Sequence, residues 1–176
     1  GVFGGRMNEN VERCGATAIM VTDRWGDPVD PEKLEAAIKA HPDAKVVAFV
    51  HAETSTGVRS DAETLCRLAK SAGMLVIMDA VTSLAGIDLK ADAWGADVVY
   101  SGTQKCLSGL PGISPITFSD DAVSAIQART QKVQSWFLDM NLIMGYWGEG
   151  AKRAYHHTAP VNAIYALHEA LLMLEE

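Results

Sequence analysis

Two reactive side chains, an acid and a primary amine, follow two apolar runs near the middle of the sequence. Leu75–Met78 ends on Asp79, and Asp97–Tyr100 leads into Ser101-Gly-Thr-Gln-Lys105. Each run has the length and the β-branched content of a buried strand. Ligands of α/β sheets bind in the loops at strand ends, so a carboxylate and an amine in two such loops predict a shared site.

An amine opposite a carboxylate suits a lysine that holds an aldehyde cofactor as a Schiff base while the acid pairs with the cofactor's ring nitrogen. The cofactor of that chemistry is pyridoxal 5′-phosphate, with Lys105 and Asp79 in these two roles. A buried Lys105 would lose its charge readily, as imine formation requires. Two ordinary interpretations stay open on the residues alone: Lys105 in a solvated loop, and Asp79 as a helix cap or salt-bridge partner.

Other candidate residues have equally plain alternatives. Thr54 lies in a polar segment after the apolar run Val46–Val50, where its hydroxyl can reach a cofactor or form a local turn. Phe3 is either a core residue or a ligand contact. The doublet His156-His157 does not predict a metal site, because adjacent residues point in different directions and no cysteine or carboxylate lies at ligand spacing.

The elements that would position these loops alternate between strand and helix. Strands are predicted at 17–21, 46–50, 75–79, 97–100 and 112–118, and Pro115 favours an antiparallel edge position for the last. Helices are predicted around 7–14, 30–41, 60–72, 122–128 and from 160 onward. Ser60 to Glu63 fits a capping box at the start of the third helix. This alternation predicts βαβ units and a mostly parallel sheet.

Bulk composition narrows the class of protein. The chain has 176 residues, of which 48% are hydrophobic, and its net charge of −7 argues against a nucleic-acid partner. Three widely spaced cysteines predict reduced thiols and a cytoplasmic location, and no apolar run is long enough to predict a membrane span. The chain begins without methionine and ends in an apparent helix, so we expect a piece of a longer protein.

Four motifs resemble one family in their order and approximate spacing. They are His51-Ala-Glu-Thr-Ser-Thr-Gly-Val58, Asp79-Ala-Val-Thr-Ser-Leu84, Ser101-Gly-Thr-Gln-Lys105 and Tyr155-His-His-Thr158-Ala-Pro160. They are similar to the alanine–glyoxylate and serine–pyruvate aminotransferases, the class V branch of the fold-type I pyridoxal-phosphate enzymes. The resemblance implies an α/β fold, a three-layer α-β-α sandwich with a mostly parallel sheet. It also implies that residues 1–176 form the major part of the cofactor-binding large domain, without the N-terminal segment and the C-terminal small domain.

The resemblance also implies a role for each matching residue. Lys105 matches the Schiff-base lysine that also shuttles the substrate proton, and Asp79 matches the partner of the pyridine nitrogen. The remaining matches are cofactor contacts: Val81 under the ring, Thr54 as a hydrogen-bonding hydroxyl, Gln104 at the phosphate, Phe3 stacked on the ring, and Tyr155 and Thr158 at the phosphate of a neighbouring subunit. The last pair implies a homodimer with shared active sites.

The implied reaction is transamination between a small amino acid, alanine or serine, and a 2-oxo acid, glyoxylate or pyruvate. One alternative is a class V lyase such as cysteine desulfurase, although those enzymes have a histidine before the lysine where this chain has Gln104. A second alternative is a truncated, non-catalytic binding or assembly module. It is favoured by the lack of the arginine that grips the substrate carboxylate in the family. For the same reason we expect the isolated piece to be weakly active or inactive.

Overall fold

The computed structural model describes residues 1–147 and 154–175 of the chain. Its helices and strands follow one another as α1 (Val2–Arg13), α2 (Pro31–Ala40), β1 (Val46–Val50), β2 (Ala52–Glu53), β3 (Val58–Arg59), α3 (Ala62–Ser71), β4 (Leu75–Asp79), α4 (Ala91–Trp94), β5 (Val98–Tyr100), β6 (Ile116–Phe118), α5 (Asp120–Gln127), a 3₁₀ helix (Trp136–Leu138), α6 (Met140–Trp147) and α7 (Val161–Glu175).

Four strands form the main sheet in the order β1-β4-β5-β6. β1 pairs with β4 and β4 with β5 in parallel, whereas β6 runs antiparallel to β5 at the edge. β2 and β3 form a separate two-stranded hairpin directly after β1. The carboxyl ends of β1, β4 and β5 therefore lie at the same edge of the sheet, and the loops that carry Thr54, Asp79 and Lys105 leave from it.

The core lies on one face of this sheet. Alternate strand residues point to this face, among them Phe49, Val76, Met78 and Val99, all of which are buried. Helices α2, α3 and α4 pack together, and α3 contributes the fully buried Leu65 to the same cluster. Burying an aliphatic or methionine side chain stabilises a fold by about 1.5–3 kcal/mol, so this layer fixes the sheet that positions the loops.

The opposite face of the sheet is less covered by this chain. Val46 is 44% exposed, and its neighbours on that face, Leu75, Ile77 and Val98, are half-buried. α1 contacts β1 and β2. The expected α/β class and mostly parallel sheet are confirmed.

Local sequence signals predicted most elements correctly. The strand at 75–79 has the predicted bounds, and the third helix stops before Gly73, whose φ of +73° suits glycine. α2 begins as predicted, with the Asp30 side chain accepting from the backbone N–H of Glu32 and Pro31 in the first turn. β6 is the predicted antiparallel edge strand. Of the expected residues 112–118, only Ile116–Phe118 form the strand that pairs with β5.

The predicted strand at 17–21 is wrong. Three of these five residues, Thr17, Ile19 and Val21, are β-branched. The segment nevertheless forms no regular element, and Ile19 and Met20 are about half exposed. A strand needs a neighbour for its backbone hydrogen bonds. No ladder in the described part of the chain includes this segment, so its β propensity alone does not make it a strand.

The predicted capping box at Ser60 is also wrong. Asp61 caps α3 by accepting from the N–H of Thr64, whereas the Ser60 hydroxyl accepts from the backbone N–H of Val29. The Ser60 hydroxyl therefore makes a tertiary hydrogen bond instead of capping the helix as the local pattern predicted.

Within the described residues, the helices are too short or too polar to cross a membrane.

Candidate active site

Asp79 is the buried acid of the candidate site. It ends β4, is 7% exposed, and accepts two hydrogen bonds: Oδ1 from the N–H of Val81 at 2.9 Å and Oδ2 from the hydroxyl of Tyr100 at 2.8 Å. Burial, followed by the nearby charge of Asp79, raises the pKa of Tyr100 well above its ordinary value. The phenol therefore stays protonated and donates. An ionised carboxylate has about four lone-pair positions, so Asp79 can accept at least one further donor.

The loop that carries Lys105 is built around a buried threonine. Thr103 is 1% exposed, and its hydroxyl contacts the carbonyl oxygens of Leu110 and Ile113. The backbone of Lys105 lies in tight turns, with its N–H donating to Gly102 and its carbonyl accepting from Ser108. Ser108 has a φ of +56°, a conformation that is strained for a residue with a side chain. The loop is thus fixed in shape while its tip projects outward.

Lys105 itself is exposed in this chain. The turn presents the side chains of Gln104, Lys105 and Cys106 on the surface and directs Thr103 and Leu107 inward. An exposed primary amine is accessible to an aldehyde.

Two contacts join the Lys105 loop to the loop after Asp79. The hydroxyl of Ser101 donates to the carbonyl oxygen of Ala80 at 3.2 Å. The thiol of Cys106 lies 3.6 Å from the carbonyl oxygen of Thr82. Residues that follow Asp79 therefore contact residues before and after Lys105. The acid and the amine belong to one edge of the sheet.

Thr54 reaches the same edge from the β2–β3 hairpin. Its exposed hydroxyl lies 3.4 Å from the hydroxyl of Thr82, which donates to the carbonyl oxygen of Ala52 at 2.6 Å. Val81, between Asp79 and Thr82, is half-buried. Gln104 folds back over the Gly102 backbone. A Cβ added at Gly102 would lie 2.7 Å from the Oε1 of Gln104. Thr54 and Val81 thus lie at the loop after Asp79, and Gln104 lies in the Lys105 loop that contacts it.

Glu53 ties Phe3 to this group. The carboxylate is 9% exposed and accepts from the N–H groups of Phe3 at 3.3 Å and Gly4 at 3.2 Å, and from Ser55. Burial raises the pKa of Glu53, but the hydrogen bonds from Ser55, Gly4 and Phe3 outweigh it and the pKa lies below its ordinary value. The guanidinium of Arg6 lies over the Phe3 ring, 5.1 Å from its centre. The start of α1 is therefore held beside the hairpin that carries Thr54.

Tyr155 and Thr158 contact each other. Their hydroxyls hydrogen-bond at 2.9 Å, and Tyr155 is 73% exposed. His156, between them, is buried and stacks on the Trp136 ring at 4.2 Å. Both side chains face outward, and the hydrogen bonds of the described residues do not join them to Asp79, Thr54 or Lys105.

Three residues that the structure places at the site have no functional role in the predictions made from sequence: His51, Glu53 and Tyr100. His51 is 2% exposed, its Nδ1 lies 3.0 Å from the Ser83 hydroxyl, and its backbone N–H donates to the Asp79 carbonyl oxygen. Burial, with a smaller effect of the Arg59 charge, lowers the pKa of His51, so the ring is neutral. Strand register could have indicated Tyr100, because it ends β5 just as Asp79 ends β4.

The arrangement fits pyridoxal phosphate. A buried carboxylate with free acceptor positions suits a protonated ring nitrogen, and an exposed amine suits an aldehyde. Hydroxyl and amide groups of Thr54 and Gln104 can donate to the polar substituents and the phosphate.

The sequence pattern of the Aminotransferase class-V family matches residues 7–176. The chain belongs to that family.

Named relatives agree with this membership. The class V chain is 38% identical to alanine–glyoxylate aminotransferase of Oryctolagus cuniculus and 34% identical to (S)-ureidoglycine–glyoxylate transaminase of Bacillus subtilis. Each alignment covers 100% of this chain but only 45% and 46% of the relative. The chain therefore spans a little under half the length of these curated relatives.

Solved structures give the same result for the fold. Alanine–glyoxylate aminotransferase from Nostoc sp. superimposes with a TM-score of 0.92 at 44% identity, over 97% of this chain and 45% of the other. The ureidoglycine–glyoxylate aminotransferase from Bacillus subtilis gives a TM-score of 0.93 at 35% identity, over 98% and 44%. The predicted family and fold-type I class are confirmed. Pyridoxal phosphate is the cofactor of class V aminotransferases, so the cofactor prediction is confirmed at the level of the family.

Proposed function

We propose that the protein containing this chain uses pyridoxal phosphate to transfer an amino group between a small amino acid, alanine or serine, and a 2-oxo acid, glyoxylate or pyruvate. One observation carries the proposal: the buried Asp79 carboxylate and the exposed Lys105 amine leave adjacent parallel strands at one sheet edge. Two similar proteins are named as glyoxylate aminotransferases, which supports the acceptor.

The residues divide the work by chemistry. The bound cofactor supplies an aldehyde that condenses with primary amines and a ring that withdraws electrons from the bonds of the substrate α-carbon. Asp79 would hold the proton on the ring nitrogen, and Val81 would pack under the ring. The Nζ of Lys105 would bind the cofactor and move the proton at the substrate α-carbon. Thr54, Gln104 and Phe3 would orient the ring and the phosphate.

We also propose that residues 1–176 are the major part of the large domain and that two copies assemble into a homodimer. Tyr155 and Thr158 then serve the phosphate of a second copy, as their outward position allows. The substrate carboxylate clamp would come from the part of the longer relatives that this chain does not span. A cytoplasmic location, suggested by the three free thiols, completes the proposal.

Among the described residues, the structure adds no observation in favour of either alternative. Cysteine desulfurase from Thermococcus onnurineus superimposes with a TM-score of 0.70 but is only 20% identical, a likeness that shows the fold alone. A non-catalytic module would not need a buried acid and an exposed amine at one strand-end edge.

The test is covalent trapping on Lys105. Full-length protein is incubated with pyridoxal phosphate, reduced with borohydride and digested, and mass spectrometry should locate the pyridoxyl group on Lys105. Lys105→Ala should abolish trapping and lower the turnover of alanine with glyoxylate by at least about a thousandfold, since the residue acts as both nucleophile and base.

Lys132→Ala, a change of another exposed lysine, is the matched control and should leave trapping and turnover unchanged. Trapping at a different lysine, or wild-type turnover by the Lys105 variant, would refute the assignment.

A further inference from the structure

Tyr100 holds the second oxygen of the Asp79 carboxylate. We propose that Tyr100 is a positioning residue: its hydroxyl fixes the plane of the Asp79 carboxylate so that a free lone pair faces the protonated ring nitrogen of the cofactor. This inference rests on the proposed function, because it assigns a role to Tyr100 at the same site.

The strand register puts the two side chains next to each other. Asp79 and Tyr100 are partners in the parallel pairing of β4 with β5, so their side chains point to the same face of the sheet. The N–H of Ala80 donates to the Tyr100 carbonyl oxygen at 2.9 Å, which continues the pairing past the end of the strand. On the other side β6 pairs with β5, with Ile116 opposite Tyr100. The phenol is thus anchored by backbone pairing on both sides.

Two donors on different oxygens constrain a carboxylate more than one donor does. The terminal torsion of aspartate is broad, so a carboxylate held only by the Val81 N–H could turn about its Cβ–Cγ bond. The Tyr100 hydroxyl engages the other oxygen at 2.8 Å and removes that freedom. Both partners are donors, which suits the ionised carboxylate that accepts at each oxygen.

The hydroxyl keeps this role throughout the neutral pH range. Burial, and then the negative charge of Asp79, raises the pKa of Tyr100 above its ordinary value. Tyr100 therefore does not release its proton near neutral pH. Its hydroxyl proton acts on the cofactor through Asp79, to which it is donated.

The test compares Tyr100→Phe with wild type in the full-length protein. A hydrogen bond to a charged group is strong enough that its loss should raise the dissociation constant of pyridoxal phosphate by at least about tenfold. The absorbance of the bound cofactor should also change its pH dependence, which a purely structural role would not cause. Tyr165→Phe, a change of an exposed tyrosine on α7, should alter neither quantity.

A double-mutant cycle decides whether Tyr100 acts through Asp79. In an Asp79→Asn background, Tyr100→Phe should change cofactor affinity by less than about twofold, because the carboxylate that it orients is gone. Equal losses in both backgrounds would overturn the proposal, as would unchanged affinity and spectrum in the single variant. Failure of wild-type protein to bind pyridoxal phosphate would instead refute the proposed function.

A second measurement does not need a folded Tyr100 variant or a cofactor. In the apoprotein, ultraviolet titration should find that the Tyr100 phenol ionises at lower pH in Asp79→Asn than in wild type, because the nearby negative charge is removed. An unchanged phenol titration would contradict the contact on which the inference depends.

Discussion

At the scale of single residues, the site depends on polar groups that are buried and paired. His51 illustrates this, since it is nearly inaccessible, lies against the Ser83 hydroxyl and meets the Trp94 ring edge-on at 5.6 Å. Its backbone N–H also supports the carbonyl group of Asp79. A charged imidazolium at this position would lose its hydration, and the contacts of the ring with Ser83 and Trp94 provide no acidic partner.

We therefore expect His51 to make the fold sensitive to mild acid. Burial lowers the pKa of His51 in the folded state, so the unfolded chain binds a proton more readily. The stability that it contributes is present above the ordinary histidine pKa of about 6.5 and is lost as the pH falls through the lower folded-state pKa. The unfolding temperature of the apoprotein should drop between pH 8 and pH 5 by more in wild type than in His51→Gln.

His168→Gln is the matched control for that comparison, because the His168 side chain is 65% exposed on α7. It should show the same pH dependence as wild type. A His51→Gln protein that loses as much stability in acid as wild type would show that other groups cause the effect.

At the scale of elements, one buried acid joins three of them behind the site. Asp97, 3% exposed, directly precedes β5 and accepts from Lys70 of α3, from the N–H of Val76 in β4 and from the Ser119 cap of α5. Burial raises the pKa of Asp97, but these donors outweigh it and the pKa lies below its ordinary value. The carboxylate thus fixes α3 and α5 against the strands that end at Asp79 and Tyr100.

We expect Asp97→Ala to lower the free energy of unfolding by about 3 kcal/mol, because it leaves Lys70 and two further donors without their buried acceptor. Denaturant unfolding of the apoprotein measures this loss. Asp121→Ala removes the other, 72% exposed carboxylate that pairs with Lys70, and should cost less than about 1 kcal/mol. Similar losses in the two variants would contradict the assignment of Asp97 as the link between elements.

At the scale of the whole molecule, large apolar side chains are exposed on α7 and on the 3₁₀ helix. Trp136, Phe137 and Leu138 are each more than half exposed, as are Tyr165 and Met173 on α7. Exposed apolar surface of this extent is typical of interaction sites. Tyr155 lies in the segment between these two helices, which is consistent with the proposed homodimer.

Mixed dimers test whether the two active sites share residues. Lys105→Ala and Tyr155→Ala should each impair cofactor binding or turnover as homodimers. If Tyr155 serves the neighbouring subunit, a heterodimer of the two variants contains one site with both native residues and should recover about half of the wild-type activity. Recovery is absent if Tyr155 acts within its own subunit, because each site then lacks one residue. Lys132→Ala paired with Lys105→Ala is the control for subunit exchange.

The sequence by itself determined the elements that contain enough local information. The apolar runs at 46–50 and 75–79 predict strands because short apolar runs rich in β-branched residues are typical of sheet strands. The Asp30-Pro31 pair and Gly73 marked helix ends because capping and backbone conformation are local properties. Asp79 and Lys105 were predicted as site residues for a related reason, since polar residues that follow parallel strands lie at one sheet edge.

Only the tertiary structure decided the features that depend on neighbours distant in the chain. Residues 17–21 have β propensity but no pairing partner, and the Ser60 hydroxyl serves Val29 rather than its own helix. The exposure of Lys105 follows from how Thr103 is buried in its loop, and the Tyr100–Asp79 hydrogen bond follows from the register of two strands. Hydrogen-bond partners and burial are properties of the packed chain, so composition and spacing do not contain them.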